Sequence, residues 1–400
     1  MKIRKAFKFE LMPNGEQIRK LKQFCGCARF AFNKALEWQN SQYAADHAFK
    51  FSYVKIANQL PIWKAEFVWL KSCHSQVLQQ SLKDLESAFR NFFRKQSSFP
   101  KFKKKGLKDS IRFPQGFKLE EETARIYLPK IGWLRYRKSR LIAGALKNMT
   151  VSQQCGKWFV SFQTEHEVEQ PHPSGGEVGI DVGIIRFATL SNGDYFEPKN
   201  SFKVLSNKLK KAQQILSHKT KFSKNWSKAK ARVSAIHHDI ANIRKDYLHK
   251  TSTIISNNHA IVYVEDLQVS NMSKSAQGNA EQPGRMIKQK SGLNRSILDQ
   301  GWFEFRRQLD YKLAWRGGYL VTVPPKNTSR MCLRCGCIDK GNRRTQATFE
   351  CVTCGFAENA DVVGAINILR AGRARLACEV NGAVRLSAAG ALRGELAECS

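Results

Sequence analysis

Two Cys-x2-Cys pairs, Cys332/Cys335 and Cys351/Cys354, stand fifteen residues apart. This spacing lets two tight knuckles close a tetrahedral site of four thiolates, which would hold the flanking chain in one geometry. A zinc ion so bound has no open position, so the predicted role is structural. Gly336 and Gly355 follow the two pairs, where a tight turn needs backbone freedom to aim amides at sulfur. Cys337 is surplus. A redox dithiol is the competing reading, but five of the 11 cysteines crowd between Cys332 and Cys354. Arg330, Arg334, Lys340, Arg343 and Arg344 make this knob basic.

The charge excess points to a polyanionic partner. With 67 Lys and Arg against 33 Asp and Glu, the chain carries +34, enough self-repulsion to require neutralisation. The excess is distributed along the chain: residues 101–150 hold 14 basic against 4 acidic residues, and 201–250 hold 13 against 2. Nucleic acid is the expected partner. Met1–Leu11 has no signal-peptide core and no segment approaches 18 apolar residues, so the expected location is the cytoplasm, at the nucleoid, with no membrane partner. In that compartment the cysteines serve as thiols or metal ligands. Four hundred residues exceed one ordinary core, which predicts two to four modules.

Along the chain, Ile3, Phe7, Phe9 and Leu11 alternate with polar residues as in a half-buried strand. Ile18, Leu21, Cys25, Ala28, Phe32 and Ala35 then mark an amphipathic helix. A second helix spans about 72–94, with Leu78, Leu82, Leu85, Phe89 and Phe92 as its seam. Its opposite face lines up Gln76, Gln80, Lys83, Ser87, Arg90 and Arg94. Gln can bond an adenine edge while Arg and Lys hold phosphates, so the stripe is a candidate for reading a short duplex sequence; an ordinary solvated face is the other reading. The loop containing Lys103, Lys104 and Lys105 mixes cations with aromatics, as backbone contact plus base stacking requires. Strands after it, clearest at Trp158, Val160, Phe162 and Thr164, predict a small β-barrel with the first strand, interrupted by the helices.

A Pro- and Gly-rich linker at 170–176 marks the main boundary. Strands are predicted at 177–181, 187–190, 260–264 and 319–323. A long helical hairpin arm carries Trp226, Ala229, Val233, Ile236, Ile240, Ile243, Tyr247 and Ile254 in heptad rhythm. Asn271–Gly292 reads as a flexible loop, about 293–316 as one helix, and the stretch after Gly372 as disordered.

Three acids occupy positions that otherwise look buried. Asp181 closes Gly-Ile-Asp-Val-Gly, Glu265 closes Ile-Val-Tyr-Val-Glu-Asp-Leu, and Asp361 opens the helix Asp-Val-Val-Gly-Ala-Ile-Asn. A carboxylate at the end of an apolar strand is costly to bury unless it is paired or binds a cation. Two on neighbouring strands and one on a packing helix could hold two Mg2+ (or Mn2+) ions, the arrangement phosphodiester cleavage uses.

Gly-Ile-Asp181-Val-Gly, Val-Glu265-Asp-Leu, Leu293-Asn-Arg-Ser-Ile-Leu-Asp-Gln-Gly-Trp302, the run Val-Pro-Pro-Lys-Asn-Thr-Ser-Arg-Met-Cys332-Leu-Arg-Cys-Gly and Glu-Asn-Ala-Asp361 together resemble TnpB, the transposon-encoded ancestor of type V CRISPR effector nucleases. The likeness covers roughly residues 1–372. It implies a multidomain α/β and β protein: a RuvC-type, ribonuclease H-like nuclease domain (175–328 and 356–372) with an inserted zinc ribbon (329–355), a wedge β-barrel (1–12 and 97–170) and a helical recognition insert (13–96), before the tail 373–400. It also implies that Asp181, Glu265 and Asp361 are the metal ligands of a DNA endonuclease. The expected partners are a transposon-derived guide RNA, a double-stranded DNA target whose sequence is chosen largely by base pairing, and a separate transposase encoded nearby. The family's Asn at the third acid is replaced here by Val363. A guided DNA binder that does not cut, and an accessory transposition protein, are the competing functions; intact acids argue against the first, and no Tyr or Ser stands in a context suited to a covalent DNA intermediate.

Overall fold

The computed structural model describes residues 1–169, 171–279 and 281–395, with side chains as far as 378. Gln170 of the linker, Ala280 and residues 396–400 of the tail lie outside the described residues. The chain divides into two compact units, Met1–Glu169 and Gln170–Ser400.

In the first unit, β1 (Lys2–Met12) buries Ile3, Phe9 and Leu11 as its alternation predicts. Asn14 and Gln17 then form a capping box that starts α1 (Gly15–Ala45) by satisfying backbone donors at the first turn. Two short helices follow, α2 (Tyr53–Ala57) and α3 (Gln59–Glu66), then a 3-10 turn and α4 (Ser75–Phe93). The predicted seam of α4 is buried at Leu78, Leu82, Leu85 and Phe89, and its buried Ser81 hydroxyl donates to the Ala28 carbonyl of α1 at 2.5 Å.

Six more strands complete this unit: β2 (Ser110–Phe113), β3 (Lys118–Glu120), β4 (Arg125–Leu128), β5 (Gly132–Tyr136), β6 (Ala145–Gln154) and β7 (Lys157–Glu167). They form one antiparallel sheet in the order β2-β6-β7-β1-β5-β4-β3. The edge strands β2 and β3 are joined only by residues 114–117, which reach roughly 18 Å at most. In a flat sheet they would lie about 29 Å apart. The sheet must therefore curl toward the expected barrel, although no ladder joins β2 to β3 among the described residues. Helices and sheet share one apolar core, from Leu21 and Phe24 of α1 to Trp158, Val160 and Phe162 of β7.

The second unit is built on β8 (Gly176–Val182), β9 (Ala188–Leu190), β10 (Tyr195–Phe196), β11 (His259–Glu265) and β12 (Tyr319–Val323), in the order β10-β9-β8-β11-β12. β11 runs parallel to both β8 and β12, while β8, β9 and β10 are antiparallel neighbours. Between β10 and β11 stands a hairpin of α5 (Ser201–Ser217) and α6 (Lys224–Asn258). After β11 come α7 (Val269–Met272), α8 (Ile287–Gln300) and α9 (Trp302–Ala314); beyond β12, the strands β13 (Thr348–Glu350) and β14 (Ala357–Asn359) precede α10 (Ala360–Glu395). Val178, Ile180, Val262 and Val264 pack with Leu248, Ile255, Phe305 and Leu309 on one face of the sheet. On the other, Tyr263, Val321 and Val323 meet Ile368 of α10. Among the described residues no helix is long and apolar enough to cross a membrane.

Four expectations are corrected. The helix expected from 293 to 316 breaks at Gly301, whose φ of 73° is left-handed, giving α8 and α9. The expected loop 271–292 loses both ends to α7 and α8, tied together by Lys290 Nζ donating to the Met272 carbonyl at 2.7 Å. On α6 the buried seam runs through Leu248, Ser252 and Ile255 while Ile254 is exposed, because a straight 3.6-residue helix drifts off a heptad frame. The stretch after Gly372, expected to be disordered, continues α10 to Glu395; Ala, Leu, Arg and Glu favour helix even without an amphipathic period.

Candidate functional site

Asp181 lies near the end of β8, and Glu265 is the last residue of the adjacent parallel strand β11. Ile180 pairs with Val264, so the next residue on each strand brings the two carboxylates side by side. Asp361 sits in the first turn of α10, where the Asn359 side chain accepts from the amides of Asp361 (3.0 Å) and Val362 (3.3 Å). Two glycines let α10 reach the sheet. A β-carbon on Gly179 would stand 2.2 Å from the Ala365 carbonyl oxygen, and one on Gly364 would stand 2.9 Å from Asp181 Oδ2.

Burial, then repulsion from Glu265 and Asp361, pushes the Asp181 carboxyl up to about 8; the Arg343 guanidinium partly offsets this. Burial also raises Glu265, against a hydrogen bond from Thr328 and the charge of Arg343. Two carboxyls raised in this way, with a third acid beside them, make a candidate cation site. Arg343, from the cysteine-bearing knob, donates to Asp361 Oδ1 at 3.2 Å. Among the described residues, donor atoms all within 4.8 Å of one another occur only at the four cysteines; the three carboxylates do not form so tight a group.

Sequence reasoning missed two supports of this site. The Thr328 hydroxyl donates to Glu265 Oε1 at 2.5 Å. Asn367, buried on α10, donates to the carbonyls of Thr328 and Met331, both at 2.8 Å. Neither carries a local signal, since each partner lies more than 35 residues away. Arg343 was noted only as one of several cations.

The four predicted thiols converge. Cys332 and Cys354 Sγ lie 3.6 Å apart, Cys335 and Cys351 Sγ 3.5 Å apart. The knuckles repeat one hydrogen-bond pattern: Cys332 N donates to the Cys337 carbonyl and Cys351 N to the Phe356 carbonyl, both at 2.9 Å. Gly336 and Gly355 adopt φ of 73° and 68°. The amides of Cys354 and Thr353 hold the Cys351 thiol down, while burial and the neighbouring thiols push Cys335 up. Cys337 stands outside the group and accepts from the Thr353 hydroxyl at 3.1 Å. Val363 packs with Phe349 and Ala360 in the knob's apolar core.

The predicted nucleic-acid residues separate. Gln80, Lys103 and Lys104 border one depression beside Arg29 and Arg112. Gln76 is half-buried with its Oε1 unpartnered. Lys83, Arg90, Arg94 and Lys105 are exposed; Lys83 lies over Tyr53 at 5.7 Å and Arg90 pairs with Glu86 at 3.4 Å. Lys103 spans to Asp84 at 3.7 Å and lies over the Phe32 ring at 4.1 Å.

Three family descriptions match the chain: "Probable transposase" (OrfB_IS605) at residues 161–276, "Cas12f1-like, TNB domain" at 302–368 and "Helix-turn-helix domain" at 1–48. The last span is here one strand and one unbroken long helix. The chain is 55% identical to the "Putative RNA-guided DNA endonuclease InsQ" of Escherichia coli (strain K12), over 94% of each chain. It is 33% identical to the "Putative RNA-guided DNA endonuclease" of Streptomyces pristinaespiralis, over 94% of this chain and 91% of that relative. Its fold is similar to that in the cryo-EM structure of the Cas12f1-sgRNA-target DNA complex, with TM-score 0.56 and 13% identity, covering 92% of this chain and 98% of that one. The scaffold is thus a mixed α/β fold shared with that structure. The chain belongs to the TnpB (OrfB) family of transposon-encoded proteins, related to the Cas12f nucleases.

Proposed function

We propose that this RNA-guided DNA endonuclease hydrolyses DNA phosphodiesters at Asp181, Glu265 and Asp361, on a RuvC-type, ribonuclease H-like sheet. The observation carrying this is the meeting of β8, β11 and α10 at one edge with an acid from each, where the half-buried Asp181 carboxyl is raised to about 8. Three oxygen donors suit a hard cation, Mg2+ or Mn2+, better than a soft one. When bound, such ions supply water activation and neutralise charge on the leaving oxygen. The chain's own part is positioning. Thr328 aims Glu265, Asn359 orders the first turn beneath Asp361, and the knob presents Arg343 as a movable counter-charge. Asp181, Glu265 and Asp361 would hold the cation, with Arg343 standing as the counter-charge to Asp361. A cleft of about 510 Å3 beside Glu265, walled by Leu298, Trp302 and Phe303, offers room for the strand to be cut. The four cysteines would hold a structural zinc.

The first unit acts as wedge and recognition module, with Gln80, Lys103 and Lys104 on duplex or guide. Asp181→Ala tests the site. Plasmid cleavage in Mg2+ should fall at least about a hundredfold, with RNA and DNA binding kept within about threefold, since ligand removal abolishes metal chemistry without altering the basic surfaces. Cutting at the wild-type rate would remove the nuclease assignment from these acids.

A further inference from the structure

The α5–α6 hairpin turns through residues 218–223, and its tip presents an aromatic that its own fold does not use. Phe222 is 86% exposed, the largest value among the exposed large apolar side chains described. Its backbone is left-handed, with φ 69°, which is costly for a bulky residue and persists where the surroundings impose it. The turn is ordered around it: Ser223 N donates to the Thr220 carbonyl at 3.2 Å, and Ser223 Oγ caps α6 by accepting from Trp226 N at 3.0 Å. The apolar core of the hairpin lies lower, at Leu209, Ala212, Ile236 and Ile240. Phe222 faces the Trp226 ring, its centroid 5.6 Å away.

The electrostatic setting is one-sided. No acid occurs between Glu197 and Asp239, and Lys219, Lys221, Lys224, Lys228, Lys230 and Arg232 are exposed around the tip. Lys230 lies over the Trp226 ring at 4.9 Å, while the ion pairs of α6 begin only at Arg244. One exposed aromatic, Phe222, backed by the half-buried Trp226 and set among exposed cations, matches a nucleic-acid strand, whose bases stack while its phosphates are neutralised.

We propose that Phe222, backed by Trp226, is a stacking platform for an unpaired base of the guide RNA, with the tip cations holding the flanking phosphates. This rests on the RNA-guided reading and deepens it. Tyr247 packs on Phe187 in the sheet core, and helical rise puts the tip about 37 Å beyond it. A tip held that far out on the hairpin suits the folded part of the RNA, whose loops splay bases outward.

Full-length protein is titrated with a fluorescein-labelled 20-nucleotide oligoadenylate RNA across a salt series. Phe222→Ala should weaken binding about tenfold with an unchanged salt slope, and Phe222→Trp should restore it to within about twofold. Lys221→Gln with Lys224→Gln should instead flatten the slope. Ultraviolet crosslinking in cells expressing the whole element should give an RNA adduct on the peptide containing Phe222. Unchanged affinity in Phe222→Ala overturns the platform, and an adduct to DNA alone overturns the RNA assignment. Binding is read here without cleavage, so cutting retained by Asp181→Ala would count against the acid site and not the tip.

Discussion

Thr328 and Lys312 show how single buried residues set the chemistry and stability of the second unit. Without the Thr328 hydroxyl, Glu265 loses the hydrogen bond that opposes its burial. Thr328→Val should therefore raise the Mg2+ concentration for half-maximal cleavage about threefold to tenfold with little change in the saturated rate, consistent with the loss of one charge-assisted hydrogen bond. Thr328→Ser should restore it; a metal titration of cleavage measures both. Lys312 of α9 donates to the His249 carbonyl, Ser252 Oγ and Thr253 Oγ1, each at 2.7 Å. Burial, with Arg316 nearby, pushes its ammonium down to about 8 from an ordinary 10.5. Between those values the unfolded chain binds the proton more than the folded one, so this group's contribution to stability rises with pH. The melting temperature of wild type relative to Lys312→Met should climb from pH 8 to 10; a flat difference would show that burial does not penalise the charge.

At the scale of elements, the cysteine knob and α10 form a coupled pair. The knob's core of Cys332, Phe349, Cys351, Ala360 and Val363 includes the first residues of α10, and its Arg343 reaches Asp361. Cys351→Ser should abolish stoichiometric zinc and lower cleavage along with thermal stability, because loosening the knob also releases the start of α10. Metal analysis and a melting curve check this, and a stable, active, zinc-free variant would refute the structural site. Val363 is part of this coupling, its apolar side chain lying in the knob's core. The knuckles were legible in the sequence because only two residues separate the ligands within each pair. The break at Gly301 and the rotated seam of α6 were not, because helical periodicity does not reveal which face meets a partner.

For the whole molecule, the +34 charge is the property that selects partners. Each phosphate neutralised releases a counterion, so affinity for nucleic acid should fall roughly a thousandfold or more between 50 and 200 mM salt. A fluorescence titration over that range measures the slope, and a change below about tenfold would contradict a surface made for polyanions. Charge, strand alternation and cysteine spacing were all determined by the sequence itself, because each is set by residues close together in the chain; the three acids, expected to be buried, are half-buried. Only the tertiary structure decided that β8 and β11 pair in a register aligning Asp181 with Glu265, that Gly179 and Gly364 admit α10, and that Arg343, Thr328 and Asn367 complete the edge. Those relations join residues tens to nearly two hundred positions apart, where no local period reaches and only packing of the folded chain chooses the neighbour.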